Sequence, residues 1–291
     1  PECTAPYTAP GLKSTQALPE FYQGATADYV KVDGKWVDGM AQDNMLTALQ
    51  NLQDAYTAGL IDQEAITNTT SSCRDEWYAG TVGCFPYWGG LWGETLTVRL
   101  KQNVPDAEVI ALPPIEGATY LYSAPSVQVI SSKLSDEQVA SVYKYFIEYM
   151  HDGGEGQVLF QSGVEGVHWQ QSGNNIDPLP TISKPAEAFR KAWITPWLAL
   201  TPMTATDKNV EASQEVTDSL AVVSANAKNI SVFPVSEQRT MITSDLTTTR
   251  ENIISRVAMG QLTPEEGMAE YKAQAETLNV AQALEEMNAN A

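Results

Sequence analysis

An α/β fold is predicted for this chain by three observations. Short runs of β-branched and aromatic residues recur along it, apolar stripes at helical spacing lie between them, and a long helical stretch closes it. The first run is Tyr29–Val32, followed by Asp33-Gly34 and then Trp36-Val37, the pattern of a tight hairpin. Residues 1–40 around it are rich in Pro, Gly, Thr and Tyr, with a second turn signal at Pro10-Gly11, and disorder is expected nowhere but in Pro1–Pro19. A helix follows, because Met45, Ala48, Leu49, Leu52, Ala55 and Tyr56 share one face and Gly59 is placed to end it.

The stretch from Gly80 to Trp92 reads as a strand entering a glycine-loosened loop. Ala107–Leu112, closed by Pro113-Pro114, and Ser126–Ser131, with Val127, Val129 and Ile130, read as further strands. Ser135 and Gln138 form a capping-box pattern ahead of a stripe of Val139, Val142, Tyr143, Phe146, Ile147 and Met150, which Gly153-Gly154 terminates. A polar loop is expected over Gly163–Pro180, helices near Pro185–Trp193 and Asn209–Ala225, and a proline-bearing strand at Ser231–Val235. Two long helices end the chain. Gly260 stops the first, and Thr263-Pro264-Glu265-Glu266 supplies an N-cap, a first-turn proline and a capping box for the second. These helices are expected to cover one side of a sheet.

The 291 residues suffice for one large or two ordinary domains, and a hydrophobic fraction of 43% against 18% charged marks a folded chain. The formal charge of −19 repels phosphate backbones and anionic lipid, and no Lys/Arg cluster interrupts it, so nucleic acid is excluded as a partner. No apolar run is long enough to span a bilayer, and the opening proline reads as the start of a piece cut from something longer. Cys3, Cys73 and Cys84 contain no CxxC pair and only His151 and His168 could assist them, which disfavours zinc. Cys73 and Cys84 either pair across a short loop or remain two reduced thiols.

The familiar cofactor and phosphate loops are missing: there is no GxGxxG after a strand, no GxxxxGK[ST] and no GxSxG elbow, so no cofactor is expected. His151 falls in the last turn of an apolar helix, where a cation suits the dipole, and reads as a cap. His168 lies in Gly163–Trp169, a loop whose side chains either meet a ligand or pack on themselves. Glu94 beside Trp92 and Glu165 beside His168-Trp169 are the pair that a secreted glycosidase would use. Among 36 acidic residues, two near aromatics are expected by chance, so a binding role is favoured over catalysis.

Aromatic residues set among glycines are the outstanding feature. Trp77, Tyr78, Tyr87, Trp88 and Trp92 fall in one strand–loop unit, Tyr120 and Tyr122 flank a later crossing, and Trp169 lies in the polar loop. Trp77 and Tyr78, at a helix end, read as core. Trp88 and Trp92, flanked by Gly89, Gly90 and Gly93, read as rings that a sugar face or a peptide side chain approaches closely.

Four stretches carry a resemblance. Leu49–Asp62 ends Tyr-Thr-Ala-Gly-Leu-Ile-Asp; Tyr78–Phe85 is followed by Trp88 and Trp92; Ile130–Gln138 leads into the Val139–Met150 helix; and Gly163-Val-Glu-Gly-Val-His-Trp169 follows. In this order, with the Arg250–Tyr271 helices, they resemble the extracellular solute-binding proteins of bacterial ABC importers, the class of the maltodextrin-binding proteins, and the last of them a lipoprotein branch. The resemblance implies a type II periplasmic-binding-protein-like fold of two α/β lobes. Residues 1–118 would belong to the second lobe, 119–205 to the helical part of an incomplete first lobe after a hinge crossing, and 206–291 to the C-terminal helices of the second. The departure is at the front, since the matched region begins where most of a first lobe would already have passed.

The resemblance further implies a monomeric, non-catalytic protein, exported as a cell-surface lipoprotein or to the periplasm. It would close on a sugar, or alternatively a peptide, and deliver it to a membrane permease. Tyr87, Trp88 and Trp92 would stack on the ligand from the second lobe, Tyr120, Tyr122 and Ser123 would lie near the hinge, and Glu165, His168 and Trp169 would contact it from the first-lobe side. A surface module without a small-molecule site is the remaining alternative.

Overall fold

A computed structural model describes residues 2–13, 17–112, 120–122, 129–179, 204–206, 208, 212–229 and 232–291. The chain divides into two compact units: 1–88, 96–124 and 221–291 form the first, and 89–95 with 125–220 the second.

The first unit is built on the two ends of the sequence. Strand β1 (Ala5–Tyr7), helix α1 (Pro19–Tyr22) and the hairpin β2 (Tyr29–Val32)–β3 (Lys35–Asp38) open it. In this stretch Tyr7, Ala9, Leu12, Ala17 and Leu18 are buried and join the core, while Glu2, Cys3, Thr4 and Pro6 are exposed. The hairpin has the anticipated register, Val32 opposite Lys35, with Asp33 at φ 50° and Gly34 at φ 80° in the turn.

Helix α2 (Asn44–Thr57) buries the six residues its periodicity selects, and Gly59, at φ 70°, reverses the chain after it. Helix α3 (Thr70–Ala79) is closed by Gly80 in the left-handed region, after which β4 (Val82–Cys84) pairs in parallel with β1. Trp77 and Tyr78, expected in the core, are only half-buried at the end of α3. Of the two alternatives for the cysteines, the structure has free thiols throughout, and burial pushes Cys73 and Cys84 up to about 11.

Helix α4 (Leu91–Asn103) was not expected; its first turn belongs to the second unit and its remainder to the first. The strand anticipated at Ala107–Leu112 joins no ladder, and Ile110 there is exposed. Pairing occurs instead at β5 (Tyr120–Tyr122). Of the Ser126–Ser131 strand, residues 126–128 lie outside the described residues, and Val129 is exposed and unpaired by any strand.

In the second unit, Ser135 and Gln138 form the expected capping box on helix α5 (Asp136–Val142). The helix then continues as a π-helical turn over Tyr143–Glu148, a correction to the single stripe. Wider i→i+5 turns rotate later residues off the original face, leaving Tyr143, Tyr145 and Phe146 exposed and Met150 buried. Helix α6 (Glu155–Ser162) follows. The expected polar loop contains a second hairpin, β6 (Trp169–Ser172) with β7 (Asn175–Pro178), turning at Gly173. Val158, Trp169 and Ile176 form a small core there. The helix expected near Pro185–Trp193 lies outside the described residues. That expected from Asn209 is described as α7 (Gln214–Asn226).

Asp152 organises the start of α6. Its carboxylate accepts from the backbone N–H groups of Gly154 (2.7 Å), Gly156 (2.9 Å) and Gln157 (2.9 Å). Burial pushes its pKa up, but the three donors outweigh that and hold it below the ordinary carboxylate value. A depressed pKa means that the stabilisation is full above the unfolded value of about 3.9 and is lost as pH falls through the folded one. Asp152→Ala is expected to cost about 1 kcal/mol at pH 7, comparable to the loss of a helix cap. Urea melts at pH 7 and pH 3 check this: the gap between variant and parent should narrow at the lower pH.

Returning to the first unit, β8 (Ala227–Asn229) pairs in parallel with β5, whereas residues 232–235 of the anticipated strand form no ladder. Helix α8 (Glu237–Ala258), α9 (Pro264–Thr277) and α10 (Val280–Ala289) complete the chain. The α9 capping box is present, with Thr263 Oγ1 accepting from Glu266 N–H at 3.1 Å. The final helical stretch breaks once more than expected, at Asn279, whose φ of 56° separates α9 from α10.

Among the described residues these helices have no extended sheet to cover, only the β2–β3 hairpin against α10. The described strands form four separate two-stranded ladders, and the core of the first unit is mainly helical: α2, α8, α9 and α10 close around Met45, Leu49, Leu52, Ile253, Ile254, Tyr271 and Met287.

Candidate functional site

The aromatic cluster of the first unit is assembled by α3, β4 and the segment after β4. Gly80 ends α3 so that the chain reverses beside its last turn, which brings Phe85 and Tyr87 alongside Arg74 and Trp77. The Phe85 and Tyr87 rings stack with centroids 5.0 Å apart at 25°, and Trp77 tilts against Phe85 at 6.3 Å. Trp77 is fixed by its Nε1–H, which donates to the Leu96 carbonyl at 3.2 Å. Arg74 Nη1 donates to the Tyr87 hydroxyl at 2.8 Å and Nη2 to Ser71 Oγ at 3.0 Å, while its guanidinium carbon lies 5.8 Å from the centre of the Tyr87 ring. A second cation, Arg99 of α4, stands 5.0 Å over Tyr78. Burial raises the Tyr78 pKa; Arg99 and Arg74 both pull against that shift, and Tyr87 and Asp75 add to it. Sequence reasoning singled out Tyr87 but missed both arginines. Their spacing from the aromatic run carries no local signal, because only the fold brings α3 and α4 beside it.

Trp88, next in the chain, is 56% exposed and presents an open indole. Trp92 does not. It sits in the first turn of α4, buried at 9%, not in a loop. The glycines around it have structural roles. Gly90, at φ 72°, turns the chain into the helix and donates its N–H to Ser219 Oγ at 2.9 Å. A methyl group on Gly93 would stand 3.0 Å from the Glu215 carbonyl oxygen, so a side chain there would crowd α7. Two of the three glycines read as making room for a ligand thus serve the helix and its neighbour.

Tyr120 and Tyr122 are placed by the β5–β8 ladder, their side chains and Ser123 lying outside the described residues. In the second unit, Gly163–Trp169 is a turn fastened on itself. His168 Nδ1 accepts from Val164 N–H at 2.9 Å, and Gly166 N–H donates to the Trp169 carbonyl at 2.7 Å. Trp169 is 3% exposed, with its Nε1–H on the Gly163 carbonyl at 2.9 Å, and Gly163, at φ 84°, lies directly against the His168 ring. Glu165 is exposed at the tip of this turn, and Glu94 lies in the first turn of α4. Of the residues nominated from sequence, the structure brings Tyr87 into the aromatic cluster of the first unit, leaves Trp88 exposed one residue further on, and buries Trp92 and Trp169 in the second unit.

No protein-family model matches the chain, and no curated protein matches it. Among solved structures, it is similar to the alginate-binding protein AlgQ2 in its crystal structure without calcium ion. The TM-score is 0.62 at 15% sequence identity, and the match covers 99% of this chain and 64% of that one. The chain thus spans a little under two thirds of that protein's length. A likeness at this identity establishes the fold alone: the chain shares the fold of that protein, a mixture of helices and strands consistent with the α/β class.

Proposed function

We propose that the chain is the ligand-binding part of an extracytoplasmic solute-binding protein that carries a sugar to an ABC importer. The observation that carries this reading is the likeness over 99% of its length to an alginate-binding protein. The open indole of Trp88, one residue along the chain from the stacked Tyr87, supports it from the chemistry of the chain itself. A flat aromatic ring covers the C–H face of a pyranose, while polar neighbours take its hydroxyls. In this role the ligand is held and released unchanged. It shifts the protein toward the conformation that a permease recognises, which requires tighter binding to that conformation than to others. The same reading places the protein on the outer side of the cytoplasmic membrane, as a monomer, anchored by lipid or free.

The test is calorimetric titration of the chain with a panel of oligosaccharides, alginate-derived ones included, alongside mass spectrometry of the recovered sugar. Binding with no change in sugar mass is expected. Trp88→Ala should weaken it about three- to tenfold, the loss of one stacking contact. Unchanged affinity in that variant would remove Trp88 from the site, and shortened sugars would point to hydrolysis.

A further inference from the structure

One face of the β2–β3 hairpin carries Tyr29, Lys31, Trp36 and Asp38, since Tyr29 pairs with Asp38 and Lys31 with Trp36. Phe233, in the segment that leads into α8, packs on this face. Its ring centre lies 6.2 Å from that of Tyr29 and 5.3 Å from that of Trp36, both in edge-to-face contact. Arg239, in the first turn of α8, places its guanidinium carbon 5.3 Å from the same ring centre. Side chains from β2, β3 and α8 thus surround one phenyl ring.

Each of the three ends in a buried polar atom that has no partner in the protein: the Tyr29 hydroxyl, Trp36 Nε1 and Arg239 Nε. Tyr29 is 8% exposed and Trp36 3%, so neither group is open to bulk solvent. A buried donor without an acceptor is costly, and three around one ring point to a shared acceptor. The face of Phe233 is only a weak one. Charge at the cluster is favourable to an anion. Arg239 enters no ion pair among the described residues, nor does Lys31, whose Nζ lies 5.4 Å from the centre of the Trp36 ring. Burial raises the Tyr29 pKa; Arg250 and Arg239 lower it, Asp38 and Asp28 raise it, and the balance leaves the hydroxyl its proton to donate. Of those two acids, Asp38 is held by Arg250 and Tyr271, and Asp28 is largely exposed, where water screens it.

We propose that the Tyr29 hydroxyl, Trp36 Nε1–H and Arg239 Nε–H together bind one small monovalent anion of halide size beside the Phe233 ring. Three donors and one buried cation match a single negative charge. Phosphate or sulfate would bring more charge and more acceptor oxygens than these groups can satisfy. The ion would fasten residues 232–235, which form no ladder and expose Val232 and Val235, onto the hairpin. This assignment is independent of the sugar-binding reading.

The probe is bromide. The whole chain and its Tyr29→Phe and Arg239→Gln variants are melted in rising sodium bromide, with sodium gluconate holding the ionic strength constant. The parent midpoint is expected to rise by about 2–4 °C as the site fills, and both variants should lose most of that rise. In crystals of the parent soaked in bromide, an anomalous peak should lie within hydrogen-bonding distance of all three donors. The same bromide dependence in the parent and in Tyr29→Phe marks a general salt effect and overturns the site. A water between the donors that bromide does not replace overturns it equally. Should Arg239→Gln fail to fold, Tyr29→Phe, which keeps both the ring and the cation, decides alone.

Discussion

Arg250→Met is expected to lower the stability of the first unit by about 3–5 kcal/mol, the scale found when one partner of a buried ion pair is removed. Arg250 Nη2 lies 2.7 Å from Asp38 Oδ1, and the two side chains are 3% and 6% exposed. Arg250 Nε donates to the Tyr271 hydroxyl at 3.1 Å, and that hydroxyl donates to Asp38 Oδ2 at 2.6 Å, closing a ring of three side chains from α8, α9 and β3. Burial pushes the Tyr271 hydroxyl far up, so it stays protonated and keeps its donor role. The guanidinium also lies 5.1 Å from the centre of the Tyr29 ring. Asp28, 3.4 Å from Arg250 but 59% exposed, contributes little, since water screens it. Methionine would fill much of the space yet leave a buried carboxylate facing apolar atoms. The triple variant Arg250→Met, Asp38→Leu, Tyr271→Phe should recover most of the loss, because it also removes the stranded polar groups. Denaturant unfolding measures both, and a single variant within about 1 kcal/mol of the parent would show that the ring is not holding the helices together.

Leu49→Ala is the second large effect, expected at about 2–5 kcal/mol. Leu49 is fully buried on α2, in the core that α2 shares with α8, α9 and α10. Deleting its branched end removes buried surface and leaves a void that fixed helices cannot close. Gln53 limits how far they could shift, since its Nε2 donates to the Val257 carbonyl at the end of α8 (2.7 Å) and to the Leu262 carbonyl in the turn before α9 (2.9 Å). Thr47→Ala, on the exposed face of α2, should stay within about 0.5 kcal/mol of the parent. Similar unfolding midpoints for the two variants would contradict the assignment of Leu49 to the core.

Elements with strong local signals were legible in the sequence. The Asp33-Gly34 hairpin, the stripe of α2 and the capping boxes of α5 and α9 each rest on contacts within a few residues. Elements decided by distant partners were not. Residues 107–112 have strand composition but find no neighbouring strand, whereas Ala227–Asn229, which looks like nothing locally, pairs with Tyr120–Tyr122. Helix α4 begins Leu-Trp-Gly-Glu, and Gly93 reads as a breaker until the nearby α7 backbone explains why a side chain is excluded there. The same ambiguity governed the site. Glycine beside tryptophan signals close approach, but the sequence does not say whether a ligand or a helix does the approaching. Beside Trp92 it is a helix, at Gly93, while Trp88 is left exposed.

Trp36 and Asn288 are joined by two hydrogen bonds, from the Trp36 N–H to Oδ1 at 2.8 Å and from Nδ2 to the Trp36 carbonyl at 2.9 Å, across 252 positions. The hairpin is thus closed onto the last of the described helices by residues 252 positions apart. A contact of such sequence separation has to meet its loop-closure entropy before it returns any energy, so it is expected to form late and to slow folding of the first unit, while the local hairpin and α2 form ahead of it.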